Sequence, residues 1–367
     1  MMKRRRPIVT LTGGLLPAPL RDGARAHDSQ DAAGAGARVD RVMVRRKVVI
    51  AVAGSFLGAP FVATAQQPGR IYRVGYFRVG QPPKPYFDAF EQGLRRLGYV
   101  PGRNIVIESR FADDQGEALP RLADELVNLN VDVLVVSGGL ATKAAKDATR
   151  TIPIVMAAAS DPVGSGLVAS LSRPGGNITG TTLINPELAG KRMELLKQAL
   201  PNVRRVAVLV NKKNLAHASA FKETQAAAAA LGLTVQALEV QRVADFEAAF
   251  ATTTNGRVEA IIVLTDSMFE SEWARIRDLL ARYKLPAMYG TRRHVDAGAL
   301  IAYGPSLIEA HANAAVFVDK ILRGAKPADL PVEQPTRFEL AINLKTAKEL
   351  GITIPQSLLL RADEVIQ

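Results

Sequence analysis

Ser137-Gly138-Gly139 is the first set of residues in the chain equipped to hold a small anion. It closes the apolar run VDVLVV that starts at Val131 and opens a helix-like stretch. A hydroxyl and backbone N–H groups would therefore converge at the positive end of a helix, where a carboxylate is favoured. The competing role for Ser137 is a plain N-cap. Ser160-Asp161-Pro162 repeats the arrangement after the next apolar run, with Pro162 suited to a first helical position and Asp161 to capping. Further along, the matching strand ends supply Asn211, Asp266 and Tyr289-Gly290. Asp266 is the best partner for an ammonium, again with helix capping as the alternative. Phe77, Phe111, Phe269 and Tyr303 lie near strand ends, where a ring can stack on a solute. The chemistry these types suggest is capture of a small zwitterion or carboxylate. Asp266→Ala is expected to weaken an ammonium-bearing ligand and leave the ligand-free melting point nearly unchanged.

Covalent chemistry finds little support. The chain has no cysteine, which removes thiol nucleophiles, disulfides, iron–sulfur clusters and cysteine zinc sites. Of the four histidines, no two are spaced for a metal-binding HExxH helix. His311 shares one helical face with Ile308, Ala315, Val318 and Leu322 and reads as a core or lobe-surface residue. The RPGGN turn at Arg173 lacks the GxxxxGK[ST] spacing of a phosphate loop and leads instead into a strand. No catalytic residue, cofactor or metal is expected. The net charge of +12 suggests nucleic acid at first, but the first 65 residues hold 11 of the 47 Lys/Arg and only four of the 35 Asp/Glu. The folded part is close to balanced, and no nucleic-acid partner is expected.

The elements that must position these residues begin after a leader. From Met43, Arg45-Arg46-Lys47 precede an apolar segment that runs to about Val62, and Ala63-Thr64-Ala65 offers a signal-peptidase site. The expectation is an upstream extension over 1–42, a signal peptide over 43–65, and a mature chain that starts at Gln66 in the periplasm. From Ile71 onward, short apolar strands alternate with amphipathic helices, the pattern of a parallel sheet covered on both faces. Helical stripes run through Phe87, Phe90, Leu94 and Leu97, and through Leu119, Leu122, Leu126 and Leu129. Another holds Trp273, Ile276, Leu280 and Tyr283, so the single tryptophan reads as core.

The order then repeats. RVGYF at Arg73 is matched by RVAVLV at Arg205, LGYV at Leu97 by LGLTV at Leu231, VDVLVV at Val131 by VEAIIVL at Val258, and IPIVM at Ile152 by LPAMY at Leu285. Spacing this regular predicts an α/β protein of two Rossmann-like lobes. Lobe one is expected over 70–182 plus 304–328, and lobe two over 183–303 plus 329–367. Three crossovers, near Thr181, Gly304 and Leu330, would let the lobes close on a ligand at the carboxyl ends of their strands.

Four strings make the chain recognisable: DPVGSGLVASLSRPGGNITG at Asp161, LAGKRMELLKQALP at Leu188, KILRGAKPADLPVEQPTRFELAINLKTAKELGITIP at Lys320, and RADEVI at Arg361. They closely resemble the ABC-transporter substrate-binding protein family that includes tryptophan/tyrosine-type importer components. The resemblance runs from Tyr72 to the C-terminus. It implies the type I periplasmic-binding-protein fold, a small solute held between the lobes, direct contact with a permease driven by an ATPase, and a monomer without enzymatic activity. His294, in the basic turn with Arg292 and Arg293, could then face a transporter subunit or only water. Family members commonly have Asn-Pro-x-Asn-Pro after the first strand of lobe two, where this chain has Asn211-Lys212-Lys213-Asn214-Leu215. An exported two-lobed enzyme and a ligand-sensing domain of the same fold stay open as alternatives.

Overall fold

The computed structural model describes residues 70–112 and 116–367. The expected leader, with its cleavage site, lies outside them. Lobe one is built from β1 (Tyr72–Val79), α1 (Lys84–Arg96), β2 (Ile105–Ala112), α2 (Leu119–Asn128), β3 (Val133–Ser137), α3 (Gly139–Ala148), β4 (Ile154–Ala159) and β5 (Ile178–Thr182). Its sheet runs in the order β2-β1-β3-β4-β5, all parallel. Lobe two follows with α4 (Asn185–Ala199), β6 (Arg205–Asn211), α5 (Leu215–Ala230), β7 (Thr234–Val240), α6 (Phe246–Asn255), β8 (Ala260–Val263), α7 (Ser267–Ser271), α8 (Trp273–Arg282), β9 (Ala287–Tyr289), α9 (Arg292–Asp296) and β10 (Ile301–Gly304). The chain returns to lobe one for α10 (Leu307–Leu322) and ends in lobe two with β11 (Glu339–Asn343), α11 (Leu344–Glu349), α12 (Gln356–Leu359) and β12 (Glu364–Ile366).

The internal repeat survives as topology. Strands β7-β6-β8-β9-β10 have the order of β2-β1-β3-β4-β5, and the second sheet is extended by β11, antiparallel to β10, and β12. Central strands such as β3 and β4 are buried along their whole length and apolar up to the terminal Ser137, as a sheet covered on both faces requires. Helix α1 buries Tyr86, Phe90 and Leu94, while Phe87 and Leu97 from the expected stripe pack half-buried beside them. Trp273 is core, edge-on to Tyr289 and His294. Among the described residues no helix is long and apolar enough to cross a membrane.

Three segments join the lobes. The first two pass from Thr182 to Asn185 and from Gly304 to Leu307. Arg192 ties them together: its Nη2 donates to Asn185 Oδ1 at 2.9 Å and its Nε to the Tyr303 carbonyl at 2.8 Å. Burial pushes this guanidinium down to about 10. The third crossing comes later than Leu330. Thr179 Oγ1 donates to the Leu330 carbonyl, Val332 packs in the core of lobe one, and the Glu333 N–H donates to Gly180. Residues 330–333 thus edge the first sheet, and the crossing lies between Glu333 and β11. A segment that pairs through one isolated bridge, Thr181 to Glu333, has no periodicity to announce it.

Asn343 shows how tightly the C-terminal segment is bound in. Its buried side chain accepts from the Thr346 N–H at 3.1 Å to cap α11 and donates to the Val295 carbonyl at 3.1 Å. Asn343→Ala is expected to cost about 1 to 2 kcal/mol, one cap plus one buried hydrogen bond. Chemical denaturation would measure it, and a loss near zero would contradict this account of the segment.

Candidate ligand-binding cleft

The carboxyl ends of both sheets face a narrow cleft that is partly open to solvent. On the lobe-one side, β3 ends at Ser137 and Gly138 turns the chain at φ +91°, after which α3 begins with no side-chain cap among the described residues. The first helix bond is Thr142 N–H to the Gly138 carbonyl, so the N–H groups of Gly139, Leu140 and Ala141 have no intrahelical acceptor, and all three residues line the cleft. Ser160 lines it as well, its hydroxyl oxygen accepting from Asn185 Nδ2 at 2.9 Å.

Across the cleft stands Asp266, buried at the end of the loop after β8. Oδ1 accepts from the Met268 N–H at 2.9 Å to cap α7, while Asn214 Nδ2 donates to Oδ2 at 2.8 Å and Asn211 Nδ2 approaches both oxygens at 3.2 and 3.3 Å. Capping and a cleft position, set against each other on sequence, coexist. The same network shapes the Asn211–Leu215 loop without its two prolines. Asn211 Oδ1 accepts from the Lys213 N–H, Asn214 Oδ1 caps α5, and His217 Nδ1 accepts from the Asn211 N–H at 2.9 Å. His217 Nε2 lies 3.2 Å from the Thr265 carbonyl and must carry the proton.

Ser137, Gly138, Gly139, Ser160, Asn211 and Asp266 therefore meet in one place. The other expected residues lie elsewhere. Phe77 is fully buried between the sheet and α2 and α3. Asp161 accepts from the Gly164 N–H and from Ser219 Oγ, and turns follow it where a helix was expected, so no helix end points inward from Ser160. Tyr289 and Gly290 line a small cavity behind Asp266, with Tyr289 stacked on His294 at 4.3 Å. Tyr303 stacks on Phe338 away from the cleft, and Phe269 is core.

The lobes touch around this cleft. Tyr86 Oη lies 3.4 Å from Glu270 Oε2, and Ser219 Oγ lies 2.9 Å from Asp161 Oδ2. Two glycines permit the approach: a Cβ on Gly138 would stand 2.5 Å from Ser267 Oγ, and one on Gly80 would stand 1.9 Å from Ser271 Oγ. This is a closed arrangement.

Residues 85–366 match the family model for ABC transporter substrate binding proteins. The chain belongs to that family. It is 26% identical over 263 residues to the tyrosine-binding protein of Clostridioides difficile strain R20291, a match over 72% of this chain and 75% of that protein. Among solved structures it is similar to the ABC domain in complex with L-Trp from Streptococcus pneumonia, with a TM-score of 0.76 and 28% identity over 81% of this chain and all of that one. A conserved domain protein from Vibrio cholerae gives a TM-score of 0.75 and 29% identity, with the same coverage.

This ABC transporter substrate-binding protein has further residues in the cleft: Asn214, from the Asn211–Leu215 motif, and Arg78, Tyr86, Glu270 and His311, which its sequence did not advertise. Arg78 follows Phe77 in β1, and alternation along a strand puts the two on opposite faces, so a charged residue at the end of an apolar strand was the available signal. Its guanidinium is buried and Nε donates to the Val79 carbonyl. Burial pushes its pKa below the usual value, with Tyr76, Glu270, Tyr86 and Asp266 acting the other way. Glu270 takes Tyr86, Arg293 and His294 as neighbours at 3.3 to 3.4 Å. Tyr86 and His311 come from α1 and α10, stacked at 5.0 Å, and only the folded lobe brings those helices to the cleft.

Burial lowers the pKa of His217, His294 and His311, the last to about 4. All three are neutral in the fold at pH 7. Their contribution to stability is complete above the unfolded value near 6.5 and is lost as pH falls from there toward the folded values. His311 alone accounts for about 2 kcal/mol at pH 5. Thermal melts at pH 7 and pH 5 should show a fall of several degrees, and an unchanged melting point would contradict the buried neutral state.

Proposed function

We propose that this chain captures a free amino acid, aromatic by the example of its relatives, in the periplasm and hands it to an ABC permease driven by an ATPase. The observation that carries this reading is the pairing across one cleft of an uncapped helix end with a buried carboxylate. The N–H groups at the start of α3 suit the solute's carboxylate, and Asp266 suits its ammonium. Asp266 receives three donors, which leaves a carboxylate with room for a fourth. The apolar walls from Leu183, Met268 and Leu307 suit a ring. The names of the relatives, one tyrosine-binding and one solved with L-Trp, point the same way. The protein acts as a monomer, by reversible binding and lobe closure, with the permease as its direct contact. Native mass spectrometry of protein purified from periplasm, followed by calorimetry with the twenty amino acids, tests it. A carried-over amino acid bound stoichiometrically is expected, and neutral sugars as the only ligands would overturn it.

A further inference from the structure

Cleft walls differ in kind. The groups suited to a zwitterion stand on α3 and after β8, whereas α1 and α10 bring Tyr86, Leu307 and His311. His311 is 1% exposed. Its Nδ1 lies 2.7 Å from the Leu307 carbonyl, which can only accept, so the proton sits on Nδ1 and Nε2 presents a lone pair. Among the described residues Nε2 has no hydrogen-bond partner. The ring is pinned face to face against Tyr86, at 5.0 Å and 16° between planes, so turning it away would sacrifice both the stack and the bond to Leu307. A buried acceptor left without a donor is costly in a folded protein, and because His311 belongs to the cleft wall a bound solute can supply that donor.

We propose that His311 reads a hydrogen-bond donor on the solute's ring, so that the cleft selects amino acids carrying an indole N–H or a phenol O–H over those carrying none. This rests on the amino-acid reading above and names the part of the side chain that is recognised. Burial holds the imidazole pKa at about 4, which keeps Nε2 an acceptor at neutral pH. Arg78 in the same cleft is the competing donor. Its side-chain hydrogen bond among the described residues runs from Nε to the Val79 carbonyl, and His311 Nε2 stays unpaired beside it.

Calorimetry on the full chain decides, with tyrosine against phenylalanine, and tryptophan against its benzothiophene analogue, which keeps the shape and lacks the N–H. Loss of the donor is expected to weaken binding at least tenfold, since a site built to pair a polar group discriminates against the analogue without it. In His311→Phe, which retains the stack on Tyr86, the gap should close because the donor-bearing ligands weaken. A second readout needs no variant: the ¹⁵N resonance of His311 Nε2 should move when tryptophan binds and stay put with the benzothiophene analogue. Equal affinity with and without the donor, or a gap that persists in His311→Phe, would overturn the role of His311 and leave the amino-acid reading intact. Failure of all four ligands beside binding of a solute that is no amino acid would overturn both.

Discussion

Asp266→Asn should lower the affinity for an amino acid by 100-fold or more. The carboxylate is buried, opposite the positive end of α3, and removal of one member of a desolvated, hydrogen-bonded charge pair typically costs 2 to 5 kcal/mol. Asparagine keeps an oxygen to cap α7 but turns an amide N–H₂ toward the donors of Asn211 and Asn214. A stability loss of about 1 to 3 kcal/mol therefore accompanies the loss of affinity. The structure thus corrects the expectation that Asp266→Ala would leave melting unchanged, because alanine strands two side-chain amides and a helix N–H at once. Calorimetry well below the melting temperature separates the two effects. An affinity within threefold of the original would contradict the role assigned to this carboxylate.

Gly80→Ala should prop the lobes apart. Gly80 has φ +64°, where an L side chain is strained by about 1 to 2 kcal/mol. The larger effect is steric: the new Cβ would lie 1.9 Å from Ser271 Oγ and 2.8 Å from Ser271 Cβ. Rotation of the serine hydroxyl relieves the first contact and cannot relieve the second. Lobe two must retreat, and the groups on its side of the cleft retreat with it. Small-angle scattering under saturating solute should show the compaction of the parent protein and none in the variant, with affinity weakened at least 30-fold, about 2 kcal/mol. Ser271→Gly, which removes both atoms, should restore closure. An unimpaired Gly80→Ala protein would show that these lobes do not need to meet here.

Legibility in the sequence followed the range of the interactions. Strands and helices declare themselves through local periodicity, and the doubled βα array was visible because each half repeats the same apolar runs. Ser137-Gly138-Gly139 and Asp266 were legible for a related reason: in a parallel sheet the strand end that opens a helix is also the end that faces the ligand. Residues that lie away from the place their sequence position suggests do so for geometric reasons. Phe77 and Arg78 are neighbours in β1, and a choice of one over the other is a choice of face that apolar strands buried on both sides do not betray. Tyr289 and Gly290 follow the same strand-end rule as Asp266 but lie one layer behind it. Tyr86 and His311 sit on helices distant in sequence, and their place in the cleft depends on the packing of α1 against α10. The late third crossing was hidden because residues 330–333 are held by three hydrogen bonds to β5 and one to Leu171 rather than by a regular ladder.

In the proposed complex one zwitterion bridges the start of α3 and Asp266. A crystal structure of the protein with bound tryptophan or tyrosine tests it most directly. The expected complex has the solute carboxylate within hydrogen-bond distance of the Gly139 and Leu140 N–H groups, the ammonium on Asp266, and the ring against the wall of Tyr86 and His311. A carboxylate on Arg78 with the ammonium away from Asp266, or a solute bound outside this cleft, would contradict it.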